Sequence, residues 1–223
     1  ARHAGHGRRH RRAGPGRGRR LRRLLRGPRA LLLPARGTSP QHGRRREGRE
    51  RAGWKSTDAG KTWISIGLKE SKHIPRIRIH PKNPDLVYAA VLGDLFKSSE
   101  ERGVYRSEDG GKNWKRILFA NADAGAVELC MDPNNPRVLY ASTWKIRRTP
   151  YSLESGGEGS ALWKTTDGGE TWTNISKNEG MPKGIWGISG VSVSPVNSNK
   201  VYAIIENDNG GVYRSDDAGK SWV

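Results

Sequence analysis

Four eight-residue segments constrain this chain more than any other feature. They are STDAGKTW from Ser56 to Trp63, SEDGGKNW from Ser107 to Trp114, TTDGGETW from Thr165 to Trp172 and SDDAGKSW from Ser215 to Trp222. Taken alone, the first looks like an acidic loop suited to a metal, because Asp58 and Gly60 sit among small hydroxyl residues. Repetition argues otherwise, since a unit used four times belongs to a scaffold before it belongs to an active site. The opening Ser or Thr residues are 51, 58 and 50 positions apart, at or just above the period of blade-sized repeats.

Each octet has the same escort. An aromatic residue stands two positions before it (Trp54, Tyr105, Trp163 and Tyr213), which reads as a short strand entering a turn. Between octets lies a second repeated unit: IRIHPKNPDLVYAAV from Ile77, LCMDPNNPRVLYAST from Leu129 and VSVSPVNSNKVYAII from Val191. Alternation at Ile77/Ile79, Leu129/Met131 and Val191/Val193 places apolar side chains on one face of a strand. Pro81, Pro133 and Pro195 then end the run where no ladder donor is needed. Val87-Tyr88, Leu139-Tyr140 and Val201-Tyr202 open the return strand.

The expected fold is therefore all-β: a β-propeller fragment of about three to four four-stranded blades over residues 54–223, with an octet closing each blade. In each octet the Asp accepts backbone N–H groups of a tight turn, the Gly takes positive φ, and the Ser or Thr adds a hydroxyl bond. The closing Trp folds over that turn between neighbouring sheets. These roles fall to Ser56, Asp58, Gly60 and Trp63; Ser107, Asp109, Gly111 and Trp114; Thr165, Asp167, Gly169 and Trp172; and Ser215, Asp217, Gly219 and Trp222. Asp58 is accordingly expected to matter for folding and not for turnover.

Composition divides the chain at Gly53. The formal charge of +19 is concentrated before that point, where 18 Arg face two Glu and there is no Lys, Ile, Val, Asp, Asn, aromatic residue or Cys. Two readings of residues 1–53 stand: a disordered basic arm that binds nucleic acid by counterion release, or out-of-frame translation of a GC-rich gene. Residues 54–223 carry 23 Lys and Arg against 20 Asp and Glu, so no nucleic-acid partner is expected for them. The longest apolar run in the basic segment, Ala30 to Leu33, is short of the roughly 7–15 residues of a secretory core, and no segment suits a membrane span. The chain opens without Met and stops just after a motif Trp, which reads as a fragment of a longer propeller whose remaining blades are natural partners.

The octets resemble the Asp-box of bacterial-neuraminidase-type repeats, Ser/Thr-x-Asp-x-Gly-x-Thr/Ser-Trp, with Asn113 replacing the hydroxyl residue in the second copy. Longer stretches, ERGVYRSEDGGKNW, MDPNNPRVLYASTW and SGGEGSALWKTTDGGETW, are similar to bacterial sortilin-type propellers that are often labelled glycosyl hydrolases. The resemblance implies an exported, extracytoplasmic protein whose propeller binds a carbohydrate or a peptide. A glycoside hydrolase of the xyloglucan-cleaving group is the alternative, and an assembly factor for a protein complex is a third. Asp-box propellers with different activities share this fold, so the fold does not choose among them. No motif here accommodates a sialidase arginine triad with its Tyr nucleophile.

A site is expected at the end of the blades away from the octets, where the connections Gly93–Arg102, Trp144–Ser160 and Ser176–Gly187 are long and unequal. The richest, WKIRRTPYSLESGGEGS, offers Trp144 and Tyr151 as an aromatic platform with Arg147 and Arg148 as a cationic clamp for a sugar face or a carboxylate. The bland alternative is a solvated loop packed on its neighbouring blade. Asp94, Glu100, Glu101, Glu154, Glu158, Glu206 and Asp208 are the carboxylates at that end, and no pair stands out by spacing. His73 and His80 lack metal-ligand spacing, Cys130 is an inert strand thiol, and neither a catalytic residue, a metal nor a cofactor is assigned.

Overall fold

The computed structural model describes residues 31–33 and 53–223. The readings of the basic segment as a disordered arm or a miscoded stretch fall outside the described residues, apart from Leu31–Leu33. The described residues form fifteen strands: β1 (Leu31–Leu33), β2 (Trp54–Ser56), β3 (Ile64–Ser65), β4 (Arg76–Ile79), β5 (Val87–Val91), β6 (Gly103–Ser107), β7 (Lys115–Leu118), β8 (Ala124–Met131), β9 (Leu139–Arg148), β10 (Leu153–Ser155), β11 (Ala161–Thr165), β12 (Thr173–Asn174), β13 (Ser189–Val193), β14 (Val201–Ile205) and β15 (Gly211–Ser215).

They form four antiparallel sheets in chain order, the expected blades. The first is β1-β2-β3, the second β4-β5-β6-β7, the third β8-β9-β11-β12 with β10 added to the far half of β9, and the fourth β13-β14-β15. Val223 exchanges both backbone bonds with Arg214, at 2.8 and 2.9 Å, and so begins a fourth strand on the last sheet. The apolar alternation seen in sequence becomes a core that lies between sheets. Tyr88, Ala90, Val104 and Leu118 of the second blade pack on Ala126, Leu129, Leu139 and Ala141 of the third. Across the other face of the third blade, Tyr140, Leu162 and Ile175 meet Val193, Val201, Ala203, Ile205 and Trp222 of the fourth. Successive residues of β9 thus serve opposite neighbours, as a strand with a period of two must when both its faces are covered.

The octets do what their residue types require. In each, the opening hydroxyl donates to the Asp Oδ1 at 2.7–2.8 Å and accepts the Gly N–H four residues on at 2.7–3.0 Å. The second Asp oxygen takes the side chain directly before the Trp, a hydroxyl from Thr62, Thr171 and Ser221 at 2.6 Å, and the Asn113 amide at 2.7 Å. Asn113 is therefore an equivalent donor and not a defect. Both residues after the Asp take positive φ, Gly110 and Gly111 at 71° and 96°, but Ala59 and Ala218 accept the same strain at 60° and 61°.

A tie between blades was not legible in the octet alone. The first positive-φ residue donates its N–H to the strand-1 to strand-2 turn of its own blade, Gly110 to Asp85 O, Gly168 to Arg137 O and Ala218 to Asn199 O. This puts the Pro-Asn turns and the octets at one end. Its carbonyl accepts from the preceding blade: Lys55 to Gly110 at 3.1 Å, Tyr88 and Arg106 to Gly168 at 3.0 Å each, and Tyr140 and Lys164 to Ala218 at 2.9 and 2.7 Å. The sequence signal is a basic residue directly before each octet (Lys55, Arg106, Lys164 and Arg214). It stands opposite the return-strand Tyr in the register, as Tyr88↔Arg106, Tyr140↔Lys164 and Tyr202↔Arg214.

Candidate functional site

The stretch Trp144–Ser160 is an extended hairpin and not a loop. β9 runs on to Arg148, turns at Thr149–Ser152, where the Thr149 Oγ1 accepts the Ser152 N–H at 2.9 Å, and returns as β10. Alternation along this ribbon places Trp144, Ile146 and Arg148 on one face with Leu153 and Ser155 opposite them, and Arg147 on the other face with Glu154 opposite. The expected pair of arginines is thus divided between two faces. Trp144 is half-buried against Leu92, Val127 and Ile146, and its Nε1 donates to Ser155 Oγ at 3.0 Å, which leaves only part of the ring as a platform. Tyr151, at the tip, is 97% exposed.

The tip is braced by the second blade. Arg148 N–H donates to Leu95 O at 2.7 Å, which lays the Gly93–Arg102 connection alongside the ribbon. Arg102 is fully buried there, its guanidinium donating to the carbonyls of Asp94 at 2.5 Å, Lys97 at 3.3 Å and Ile146 at 3.5 Å. Burial lowers the pKa of that guanidinium below the ordinary arginine value. Phe96, next to Leu95 in that connection, and Leu153, opposite Arg148 on the ribbon, are both exposed. Sequence reasoning missed both, because an isolated Phe in a loop and a Leu in a Gly-rich stretch look like ordinary surface residues.

Beneath the ribbon, Ser155 Oγ also donates to Glu206 Oε2 at 2.8 Å, and the same oxygen accepts the Ile188 N–H at 2.8 Å. Glu206 joins Arg76, Glu128, Ile188, Ile204 and Ile205 around a shallow cleft of about 520 Å³. There Arg76 Nε sits 2.9 and 3.0 Å from the two Glu128 oxygens. A larger cleft of about 950 Å³ lies among the β7–β8, β10–β11 and β12–β13 connections, all of which leave strands away from the octets. Its rim includes Asn121, Glu158, Lys177, Glu179, Lys183 and Ile185, while Trp163 and Trp186 wall it. Neither Trp144, Arg147, Arg148 nor Tyr151 lines either cleft.

The remaining candidates have structural duties. His73 Nδ1 meets Gly93 O at 2.9 Å, and His80 Nδ1 accepts the N–H groups of Lys82 and Asn83 at 3.2 and 3.1 Å, capping the turn after β4. Burial pushes the Cys130 thiol above its ordinary pKa, the opposite of an activated nucleophile. Among the described residues no His, Cys, Asp and Glu group is arranged to hold a metal. No helix among them is long and apolar enough to cross a membrane.

This architecture has counterparts. The chain is 25% identical over 176 residues to a xyloglucanase of Acetivibrio thermocellus, covering 67% of this chain and 19% of that protein. An oligoxyloglucan-reducing end-specific xyloglucanase of Emericella nidulans is 30% identical over 150 residues, covering 66% of this chain and 17% of its own length. Among solved structures, the GH74 xyloglucanase of Xanthomonas campestris aligns with a TM-score of 0.60 at 20% identity, over 87% of this chain and 28% of that one. The chain therefore spans about a fifth of the curated relatives it matches. The family described as Sortilin, neurotensin receptor 3 (Sortilin-Vps10) matches residues 51–179, more than half of the sequence, and the chain belongs to that family.

Proposed function

We propose that this chain is an arc of a glycoside-hydrolase-type propeller that acts outside the cytoplasm on a β-glucan such as xyloglucan, and that the arc supplies substrate contacts. The observation that carries the reading is the alignment with xyloglucanases over two thirds of the chain, which exceeds what a single Asp-box would give. The ribbon tip suits the task. Tyr151, Phe96, Leu153 and Arg148 offer apolar surface beside a cation, the combination that stacks on sugar faces and donates to their hydroxyls. Cleavage would require two carboxylates roughly 5–9.5 Å apart on either side of the scissile bond. Glu128 and Glu206 share a cleft, but Arg76 holds the first and the Ser155 hydroxyl and Ile188 N–H hold the second, so this arc is assigned to holding substrate.

Affinity electrophoresis through gels with and without xyloglucan tests the reading. The protein is expected to be retarded, and Tyr151→Ala with Arg148→Ala to abolish the retardation. Unchanged mobility of the parent, or retardation indifferent to both substitutions, overturns it. A peptide ligand is the second reading, favoured by membership in the sortilin family and by the split arginines, each placed to take one carboxylate. Retention on immobilised acidic peptides without retention in xyloglucan would select it.

A further inference from the structure

The larger cleft, among the connections of the third blade, carries charge that the fold does not use. Glu158, Glu179, Lys177 and Lys183 stand around it, two of each sign. Arg76 and Arg106 find carboxylates at 2.9 Å and at 2.8 and 2.6 Å, whereas none of these four side chains makes an ion pair or a hydrogen bond among the described residues. Their backbone is nonetheless held. Glu158 O accepts from Asn121 Nδ2 and Lys183 O from Asn207 Nδ2, each at 3.1 Å. The cleft is thus ringed by fixed backbone with unpaired charge on its side chains.

Two amides on the same cleft keep a donor in reserve. Asn174 Oδ1 accepts the Ser176 N–H at 2.9 Å, while its Nδ2 has no partner among the described residues. Asn121 Oδ1 accepts the N–H groups of Asp123 and Ala124 at 2.9 and 2.8 Å, and its Nδ2, bound once to Glu158 O, retains a second N–H. Apolar surface comes from the half-buried indole of Trp163, whose Nε1 donates to Thr143 Oγ1 at 2.9 Å and so fixes the ring. At about 950 Å³ the cleft lies within the range of small-ligand sites, roughly 300–1,000 Å³.

A ligand with a net charge of either sign would meet two like charges here, so the balance favours an uncharged one. A sugar hydroxyl donates to a carboxylate and accepts from an ammonium or amide group through the same oxygen, and the C–H face of a pyranose packs on an indole. We infer that this cleft binds uncharged pyranose units. The inference rests on the glucan reading above and extends it, because it gives the chain a second place away from the ribbon tip. Tip and cleft share one stretch of backbone: β10 ends at Ser155, and the cleft wall begins at Gly157, whose N–H donates to Trp186 O at 3.2 Å on the neighbouring connection. Six residues separate Gly157 from Tyr151, no more than roughly 20 Å of extended chain, so a glucan lying on the tip has the cleft within reach of a neighbouring unit or a branch.

Fluorine NMR of the 223-residue protein labelled with 5-fluorotryptophan reads the cleft directly, with the Trp163 signal assigned through Trp163→Phe. Titration with cellotetraose is expected to shift that signal, and acidic oligogalacturonate to leave it in place. Asn174→Ala should weaken the cellotetraose response about fivefold, the worth of one hydrogen bond. Ala120→Trp, which fills the rim, should abolish it, and the other seven of the eight tryptophan signals report that both variants stay folded. Tyr151→Ala with Arg148→Ala should keep the response, because neither residue lines the cleft. A silent Trp163 in a protein that xyloglucan retards overturns the cleft and leaves the ribbon reading standing, whereas a silent Trp163 in a protein that is not retarded overturns both. A response to oligogalacturonate equal to that to cellotetraose, or a response that survives Ala120→Trp, also overturns the inference.

Discussion

The two ends of the blades obey different rules. At the octet end, four turns separated by some fifty residues reproduce one hydrogen-bond set so closely that the hydroxyl to Asp distance varies only between 2.7 and 2.8 Å. At the other end no two connections share a solution: one is pinned by a buried arginine, one is a ribbon, and one walls a cleft. Conserving a geometry four times within one chain serves the scaffold, because a ligand needs one site. On the function proposed above, individuality is the mark of the ligand end, while repetition is the mark of folding.

The largest effects should come from between the blades. Leu139, buried where the second and third blades meet, should cost about 2–5 kcal/mol when changed to Ala, read by urea unfolding. Ser107→Ala comes next: the hydroxyl is buried and is the acceptor for the Gly111 N–H at 2.8 Å, so its loss strands a donor at about 1–3 kcal/mol. The comparison breaks if Ser107→Ala proves as silent as a change at the ribbon tip.

How far the sequence carries the reader follows the same division. The octets, the Pro-Asn turns and the alternating strands declare themselves because each rests on a local rule of turn chemistry or period two. The ties at Gly168 and Ala218 do not, since their donors lie 80 and 78 residues away for Tyr88 and Tyr140. Only the regular basic residue before each octet hints at them. At the loop end, Trp144, Arg147, Arg148 and Tyr151 were legible as residue types, yet their arrangement depends on whether the segment is loop or ribbon. Glycines at 156, 157 and 159 suggest a loop, while the ribbon comes from β9 continuing past its blade, braced by Arg102 and Leu95 from the blade before.

Acid offers a test that sees the octet end alone. Hydrogen bonds from Thr62 and Ser56 hold the Asp58 carboxyl at about 2, against an ordinary 3.8, and those from Asn113 and Ser107 do the same for Asp109. The Asp167 and Asp217 carboxyls are lowered for the same reason, by Thr171 and Ser221 first. A folded pKa below the unfolded one means stability that is complete above about 4 and lost as pH falls through about 2. Thermal midpoints measured between those limits should fall with pH, and the fall should be shallower in Asp58→Asn and Asp109→Asn. Asp58→Ala should lower soluble yield while leaving the ligand preference of the folded protein unchanged, because nothing in that turn reaches the ribbon.

The smallest stability effect carries the sharpest functional one. Tyr151 is solvated, and its phenol makes no bond among the described residues, so Tyr151→Ala should leave the unfolding free energy within about 0.5 kcal/mol of the parent. Arg148 contributes to the fold through its backbone N–H to Leu95, which Arg148→Ala retains, so its side chain should be nearly as dispensable to folding. If the loop end is where ligand is met, these two near-silent substitutions should remove retention in xyloglucan while Ser107→Ala, at its larger cost in stability, leaves retention of the folded fraction intact. The opposite outcome, retention lost with Ser107 and kept without Tyr151, would move the site to the octet end and make repetition, not individuality, the functional signal.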